Sequence, residues 1–169
     1  AQTLTFNVSN DNEDLFGTQP AIDSGGTLTF TQLPDAFGEA TVTVSLMDNG
    51  GTANSGDDTS DEQTFTITLT PVNDPPSFTK GSDQTVNEDA GEQTVQGWAT
   101  NLSKGPTNES SQSLSFITEN NNEALFFSQP IVNPTNGNLM FTPADNAFGE
   151  ATVTVTLMDD GGTTTVSYT

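Results

Sequence analysis

The chain of 169 residues carries 23 Asp and Glu residues against two Lys, with no Arg or His, so its formal net charge is −21. This balance argues against binding to nucleic acids or anionic membranes, because both require a basic surface, and it favours cations as partners. The absence of Cys excludes disulfides and thiolate metal sites, and no apolar run is long enough to span a membrane.

The first elements along the chain return later in it, which identifies an internal repeat. The repeated segments are "QTLTF" at 2–6, "LFGTQP" at 15–20 and "DAFGEATVTVSLMDNGGT" at 35–52, with counterparts "QSLSF" at 112–116, "LFFSQP" at 125–130 and "NAFGEATVTVTLMDDGGT" at 146–163. The offset of about 110 residues is the size of one immunoglobulin-like sandwich. The first copy has no counterpart of residues 77–111, so we expect it to lack its first two strands.

Alternation of apolar and polar residues predicts short strands throughout, and no stretch has helical periodicity. The first copy ends with the strand "QTFTITLT" at 63–70, and the proline-rich joint at 71–76 follows. The second copy then predicts seven strands, A to G, at 77–81, 91–100, 112–118, 125–132, 137–143, 150–159 and 163–169. The expected core residues are Trp98, Leu114, Phe116, Phe141, Val153, Val155 and Leu157. The predicted fold class is all-β, with antiparallel sandwiches in tandem.

The repeat also sets the expected domain boundaries. Residues 1–72 form an incomplete first sandwich, residues 73–76 a linker, and residues 77–169 the second sandwich. The first residues, "AQTLTFNV", have neither the charged start nor the apolar block of a signal peptide. We therefore expect a mature segment or a piece of a longer protein.

The joint between the two copies resembles the end of a cadherin repeat. "LMDNGG" at 46–51, followed by "QTFTITLTPVNDPPSF" at 63–78, is similar to the A-x-D-x-G segment, last strand and D-x-N-D-N-x-P linker of cadherins. "VNEDAG" at 86–91 resembles the cadherin segment with a Glu between the first two strands, and "WATNLSKGPTNESSQSLSFI" at 98–117 the segment after strand B. The resemblance is closest to the immunoglobulin-like or cadherin-like tandem repeats of large secreted bacterial adhesins and extracellular matrix filaments, and it covers essentially the whole chain.

In that family the joints between repeats bind calcium, which stiffens the rod. The resemblance implies a ligand set from the loops of the first copy, the linker and the loops of the second copy. These candidate metal ligands are Asp35, Glu39, Asn73, Asp74, Asn101, Glu109, Asp159 and Asp160. A second candidate cluster, at the opposite end of the second copy, consists of Glu88, Asp89, Asp145 and Glu150. Calcium is the implied cofactor, since carboxylate and carbonyl oxygens are the ligands that it prefers.

Three departures from the cadherin pattern bear on the number of ions. Pro71 stands where the first linker Asp would be, the linker lacks the Asn before the prolines, and "TNLS" at 100–103 replaces an Asp-x-Asp loop. They imply one or two ions rather than three. The pair Asn73–Asp74 also has a plain interpretation as a turn between prolines, and "SGDDTSDE" at 55–62 as a solvated hairpin loop.

The resemblance implies a structural repeat segment of an extracellular adhesin or filament, on a cell surface or in a secreted matrix. Its partners would be neighbouring repeats and other copies in a filament, without nucleic acid or membrane insertion. We expect no enzymatic activity, because the chain lacks His and Cys and its acids lie in loops. The alternative is a carbohydrate-binding or other ligand-binding β-sandwich, although large aromatic residues other than Phe are limited to Trp98 and Tyr168.

Overall fold

The computed structural model describes residues 2–162 and the backbone of residues 165–168. The described part is all-β, as predicted, with antiparallel strands joined by turns and short 3-10 helices. Those single-turn helices are Glu13–Leu15, Ala53–Ser55, Thr107–Glu109 and Glu123–Leu125. The chain divides into two compact units, Ala1–Val72 and Asn73–Thr169, which are described separately. The predicted linker residues 73–76 belong to the second unit.

The first unit contains two antiparallel sheets. Its strands are β1 (Leu4–Asn10), β2 (Phe16–Ile22), β3 (Leu28–Gln32), β4 (Gly38–Asp48) and β5 (Gln63–Leu69). One sheet has the order β1-β4-β5, and β2 pairs with β3 in the other. The buried core consists of Leu15, Phe16, Ala40, Val42 and Ile67. The strands of this unit therefore begin at the element equivalent to predicted strand C.

The second unit contains equivalents of those strands and three more that precede them. Its strands are β6 (Ser77–Thr79), β7 (Gln93–Val95), β8 (Thr100–Ser103), β9 (Leu114–Asn120), β10 (Phe126–Val132), β11 (Leu139–Pro143), β12 (Val153–Asp159) and β13 (Thr165–Tyr168). The sheet orders are β13-β12-β9, β10-β11-β7 and β6-β8. The three additional strands, β6 to β8, come from the segment that the first copy lacks.

The pairs β1–β4 and β9–β12 have the same register, as do the pairs β2–β3 and β10–β11. β1 pairs with β4 so that Leu4 lies opposite Asp48, and β9 pairs with β12 so that Leu114 lies opposite Asp159. The sequence repeat is thus also a repeat of strand pairing. The residues of β1 to β4 consequently have structural counterparts 110 or 111 positions later, which provides an internal comparison.

The hydrophobic core of the second unit draws on three of its sheets. Its buried residues are Phe78, Ala99, Val132, Leu139, Phe141, Val155 and Leu157. Three of them, Phe141, Val155 and Leu157, were predicted, because alternate residues of a strand point to one face. The other predicted core residues, Trp98, Leu114, Phe116 and Val153, are partly buried and pack against this cluster.

Predicted strand B is divided into two short strands. β7 pairs with β11 and β8 pairs with β6, and a turn separates them. Within that turn Gly97 has a left-handed φ of +59°, and its N–H donates to Asn138 Oδ1 at 2.9 Å. Trp98 follows, half-buried, with its Nε1–H donating to the Ser82 carbonyl at 3.0 Å. A single extended strand over 91–100 is wrong because the chain changes its pairing partner at this glycine, which readily adopts positive φ.

Candidate metal centre

Five polar residues of the second unit converge, and we call them the buried acid cluster: Asn73, Asp74, Glu109, Gln112 and Asp159. Glu109 closes a 3-10 turn whose backbone is fixed by its N–H donating to the Pro106 carbonyl at 3.0 Å. Asp159 is the last residue of β12. Asn73 and Asp74 begin the unit, in the joint that the sequence singled out.

Hydrogen bonds connect the members of the cluster. The Asp74 backbone N–H donates to Glu109 Oε1 at 2.7 Å. Asn73 Nδ2 donates to Asp159 Oδ1 at 3.2 Å, and Gln112 Nε2 donates to Asn73 Oδ1 at 2.7 Å. Asn73 thus joins the turn after β12 to the segment before β9. The Asn–Asp pair is more than a local turn, since its partners lie 35 to 86 residues away in sequence.

The second oxygen of each buried carboxylate has no such partner. Glu109 is 3% exposed and Asp159 is 7% exposed. Glu109 Oε2, Asp159 Oδ2 and Gln112 Oε1 are buried, and none accepts a hydrogen bond from the residues that the structure describes. Buried polar atoms are nearly always hydrogen-bonded, so three unpaired oxygens in one cluster call for an explanation. All three are acceptors, and a cation is the kind of species that satisfies acceptors alone.

The two lysines make contacts with groups other than Glu109 and Asp159. Lys80 Nζ lies 3.8 Å from Asp83, and Lys104 Nζ donates to the Ser110 carbonyl at 2.8 Å. Removing a charge from water is costly unless an opposite charge or a full set of hydrogen bonds replaces the solvent. A cation near Glu109 Oε2 and Asp159 Oδ2 would offset the cost of burying these two carboxylates.

Two glycines allow the cluster to pack closely. A Cβ at Gly105 would overlap Glu109 Oε2, and a Cβ at Gly161 would overlap Asn73 Oδ1. Gly105 also has a left-handed φ of +124°. The two glycines thus line the unpaired Glu109 oxygen and the Asn73 amide with backbone alone. A side chain at either position would displace an oxygen atom of the cluster.

The donor set fits calcium better than a transition metal. No group of three or more His, Cys, Asp or Glu side chains able to hold a metal ion occurs within the described residues. The buried acid cluster instead combines two buried carboxylates with amide oxygens. Calcium accepts carboxylate, amide and backbone carbonyl oxygens in flexible geometry, whereas zinc prefers nitrogen and sulfur. We therefore judge the residues present to be suited to calcium.

Two candidate ligands of the second unit have other roles. Asn101 is exposed in β8, and its Nδ2 donates to Thr79 Oγ1 at 3.2 Å. Asp160 is also exposed, and its Oδ1 accepts the Ser113 N–H at 2.7 Å. In the first unit Asn49, the counterpart of Asp160, accepts the Thr3 N–H at 2.9 Å. A neutral amide thus makes the same contact, which identifies a structural function at this position.

Asp160→Asn should abolish one source of pH-dependent stability without unfolding the second unit. The Ser113 N–H lowers the pKa of Asp160 below its ordinary value, with a smaller contribution from the charge of Lys104. A lowered pKa in the folded state stabilises the fold above the unfolded pKa of about 3.9, and this stabilisation is lost as the pH falls through the folded pKa. Thermal unfolding of both proteins between about pH 5 and 2 measures the difference. The lowered pKa of Asp23, which both proteins share, cancels in the comparison. An ordinary or raised pKa for Asp160 in an NMR titration would contradict the prediction.

The remaining candidate ligands are exposed. Asp35 and Glu39 belong to the first unit, where Glu39 Oε1 accepts the Thr68 hydroxyl at 3.4 Å. Members of the second candidate cluster are Glu88, Asp89, Asp145 and Glu150, all exposed. Asp89 Oδ1 accepts the Asn146 N–H at 2.8 Å, so the loop before β7 contacts the loop after β11. No buried oxygen in this second group is without a partner among the described residues.

Gln112 is the member of the buried acid cluster that sequence reasoning missed. A signal for it was present, because Gln2 occupies the equivalent place in the first copy, directly before the same strand. A Cβ at Gly50 would meet the Gln2 amide, just as a Cβ at Gly161 would meet the Gln112 amide. The packing of this Gln against the turn after the long strand is thus common to both units.

No helix among the described residues has the length and apolarity needed to cross a membrane. Comparison of the chain with protein-family models, with curated proteins and with solved structures finds no match.

Proposed function

We propose that this chain is a structural repeat segment of an extracellular adhesin or filament, in which calcium stiffens the joint between successive repeats. The observation that carries the proposal is the pair of buried, unpaired oxygens on Glu109 and Asp159 next to the joint residues Asn73 and Asp74. A bound calcium ion would satisfy both oxygens and neutralise both charges.

The strand order supports tandem sandwiches of the immunoglobulin or cadherin type. In the second unit β6 pairs with β8, β7 with β11 and β11 with β10, while β9, β12 and β13 form another sheet. With β7 and β8 taken as the two halves of strand B, these pairings correspond to the ABED and CFG sheets of an immunoglobulin-like sandwich. The equivalent pairings in the first unit support a second, shorter sandwich of the same kind.

Calcium would give a function to the Asn–Asp pair in the linker between such acidic units. Asn73 and Asp74 already contact Glu109, Gln112 and Asp159 through hydrogen bonds. An ion held by the cluster would tie this linker segment to the loops of the second unit and reduce its freedom. Prolines on both sides of the pair lower the conformational entropy that the ion must overcome.

The mechanical proposal is tested by titrating calcium into the EDTA-treated chain. We expect saturable binding by calorimetry and, in small-angle scattering, a narrower distribution of distances with calcium than with EDTA. Asp74→Ala should reduce the scattering response, whereas Asp58→Ala, in the loop at 55–62, should leave it unchanged. Scattering curves that are the same in calcium and in EDTA would mean that the Asn–Asp pair serves only as a turn.

A carbohydrate-binding module remains the second candidate, and one observation favours it. Phe148 is 86% exposed and borders a shallow cavity of about 240 Å³ that is also lined by Asn122 and Asn146. An exposed ring beside amide groups is an arrangement that can stack on a sugar and hydrogen-bond its hydroxyls. Oligosaccharide binding that is lost in Phe148→Ala would support this function over the mechanical one.

A further inference from the structure

One strand of the first unit is an edge where its counterpart in the second unit is interior. β11 lies between β10 and β7, whereas β3 pairs with β2 alone among the described residues. β3 therefore presents a row of backbone N–H and C=O groups without a neighbouring strand. Its sequence, "LTFTQ", contains no charge and no Pro, which are the usual means of protecting an exposed edge.

The side chains of β3 are exposed for the same reason. Leu28 is 36% exposed while its counterpart Leu139 is 7% exposed, and Phe30 is 37% exposed while Phe141 is 7% exposed. Phe30 still contacts Phe16 edge to face, with ring centroids 5.6 Å apart. Local packing is thus retained, and what the first unit lacks is a cover for β3.

The second unit shows what that cover is. β7 pairs antiparallel with β11, so that Val95 lies opposite Leu139 and Gln93 opposite Phe141. Nearby, Phe78 of β6 contacts Phe116 edge to face, with centroids 5.1 Å apart. Residues 77–103, from β6 to β8, therefore supply both the missing strand and the missing aromatic ring.

We propose that the edge of β3 binds an antiparallel strand pair with the pattern of residues 77–103. In the second unit these strands lie directly before β9 in the chain, so we place the occupant in the same polypeptide, ahead of β1. It would carry an aliphatic residue opposite Leu28 and a Phe that packs on Phe6, the counterpart of Phe116. Strand addition of this kind gains backbone hydrogen bonds and buries alternate side chains. It goes beyond the calcium proposal and does not depend on it.

The competing occupant is a second copy of the chain, joined through β3 to β3. Such a pair would supply hydrogen bonds to the edge. It would bring neither the ring that packs on Phe6 nor a strand shaped for Leu28 and Phe30. The described residues of the chain also hold one strand pair of the required pattern for two units, so exchange between copies would leave an open edge elsewhere.

The proposal is tested by extending the full chain with a second copy of residues 77–111 directly ahead of Gln2. Amide hydrogen exchange of β3, at Leu28, Thr29 and Phe30, should slow by at least about tenfold at the positions that face the new strand. The extended chain should remain monomeric in sedimentation, and β11 should be unchanged as an internal reference. All measurements are made in EDTA, so that failure of the calcium proposal does not affect them.

The matched control carries Val95→Asp and Phe78→Asp in the added copy alone and should give no protection of β3. Unchanged exchange in an extended chain whose second unit is folded would overturn the proposal. So would an unextended chain that is already dimeric with β3 protected, because a second copy would then be the occupant.

If the extended chain does not fold, a peptide of residues 77–103 is added to the unextended chain. Slower exchange at β3 supports the proposal, and exchange unaffected at millimolar peptide overturns it.

Discussion

Phe141→Ala should lower the free energy of unfolding of the second unit by about 3–5 kcal/mol, the usual cost of deleting a buried Phe side chain. Phe141 is 7% exposed, lies in β11 between two strands, and contacts Phe126 with ring centroids 6.0 Å apart. Its removal leaves a cavity that strands on both sides prevent from closing. Fluorescence of Trp98, the one Trp of the chain, reports on this unit in denaturant.

Phe30→Ala makes the same substitution at the equivalent position of the first unit and should cost about 1–2 kcal/mol, because less apolar surface is lost from the core. NMR signals of the first unit, which lacks Trp, measure this effect. Phe127→Ala is the surface control, since that ring is 82% exposed. Equal costs at Phe30 and Phe141 would contradict the prediction and indicate that β3 is covered in solution.

Alternation and repetition predicted the strands well, because both are local properties of the sequence. The paired positions of β1 with β4 and of β9 with β12 follow from the repeat. The division of strand B at Gly97 was missed, because a change of pairing partner depends on strands that lie far away in sequence. That Leu28 and Phe30 would be exposed could be predicted, because the first copy has no counterpart of the strands β6 to β8.

For the candidate site, too, the sequence predicted some features and missed others. Asn73, Asp74, Glu109 and Asp159 were implied by a resemblance in the joint and the loops, and the structure brings them together. The burial of these side chains could not be predicted from the sequence. Glu109 sits in a polar stretch typical of a solvated loop, yet a 3-10 turn and the joint residues exclude it from water. Asp160 was implied by the same resemblance as Asp159, but neighbouring residues in a turn point in different directions.

Burial of unpaired charge leads to the second prediction, which concerns Glu109→Gln. In EDTA this variant should be more stable than the wild type, because it removes a buried charge whose Oε2 accepts no hydrogen bond from the described residues. The remaining amide oxygen can still accept the Asp74 N–H, which lies 2.7 Å from Glu109 Oε1. Leaving a buried polar group unsatisfied costs about 1–3 kcal/mol, and more for a charge, so the expected gain is of that order.

In saturating calcium the wild type should instead be more stable than Glu109→Gln. A ligand that binds only the folded state stabilises it by about 2.7 kcal/mol at a hundred times its dissociation constant. The wild type should gain this stabilisation, and Glu109→Gln should lose most of it with the loss of a carboxylate ligand. Thermal unfolding of both proteins in EDTA and in calcium, followed by Trp98 fluorescence, measures this reversal of their relative stability. Magnesium in place of calcium tests whether the site selects the larger ion.

Asp48→Asn provides the matched control for Asp159. Asp48 occupies the equivalent turn of the first unit and accepts the Gly50 N–H at 2.6 Å, as Asp159 accepts the Gly161 N–H at 3.0 Å. Asp48 is less buried and has no equivalent of Glu109 beside it, because the first copy lacks that segment. Asp159→Asn should therefore weaken the response to calcium, and Asp48→Asn should not. A purely structural Glu109 would make Glu109→Gln destabilising by the same amount in EDTA and in calcium, and that result would exclude an ion from the cluster.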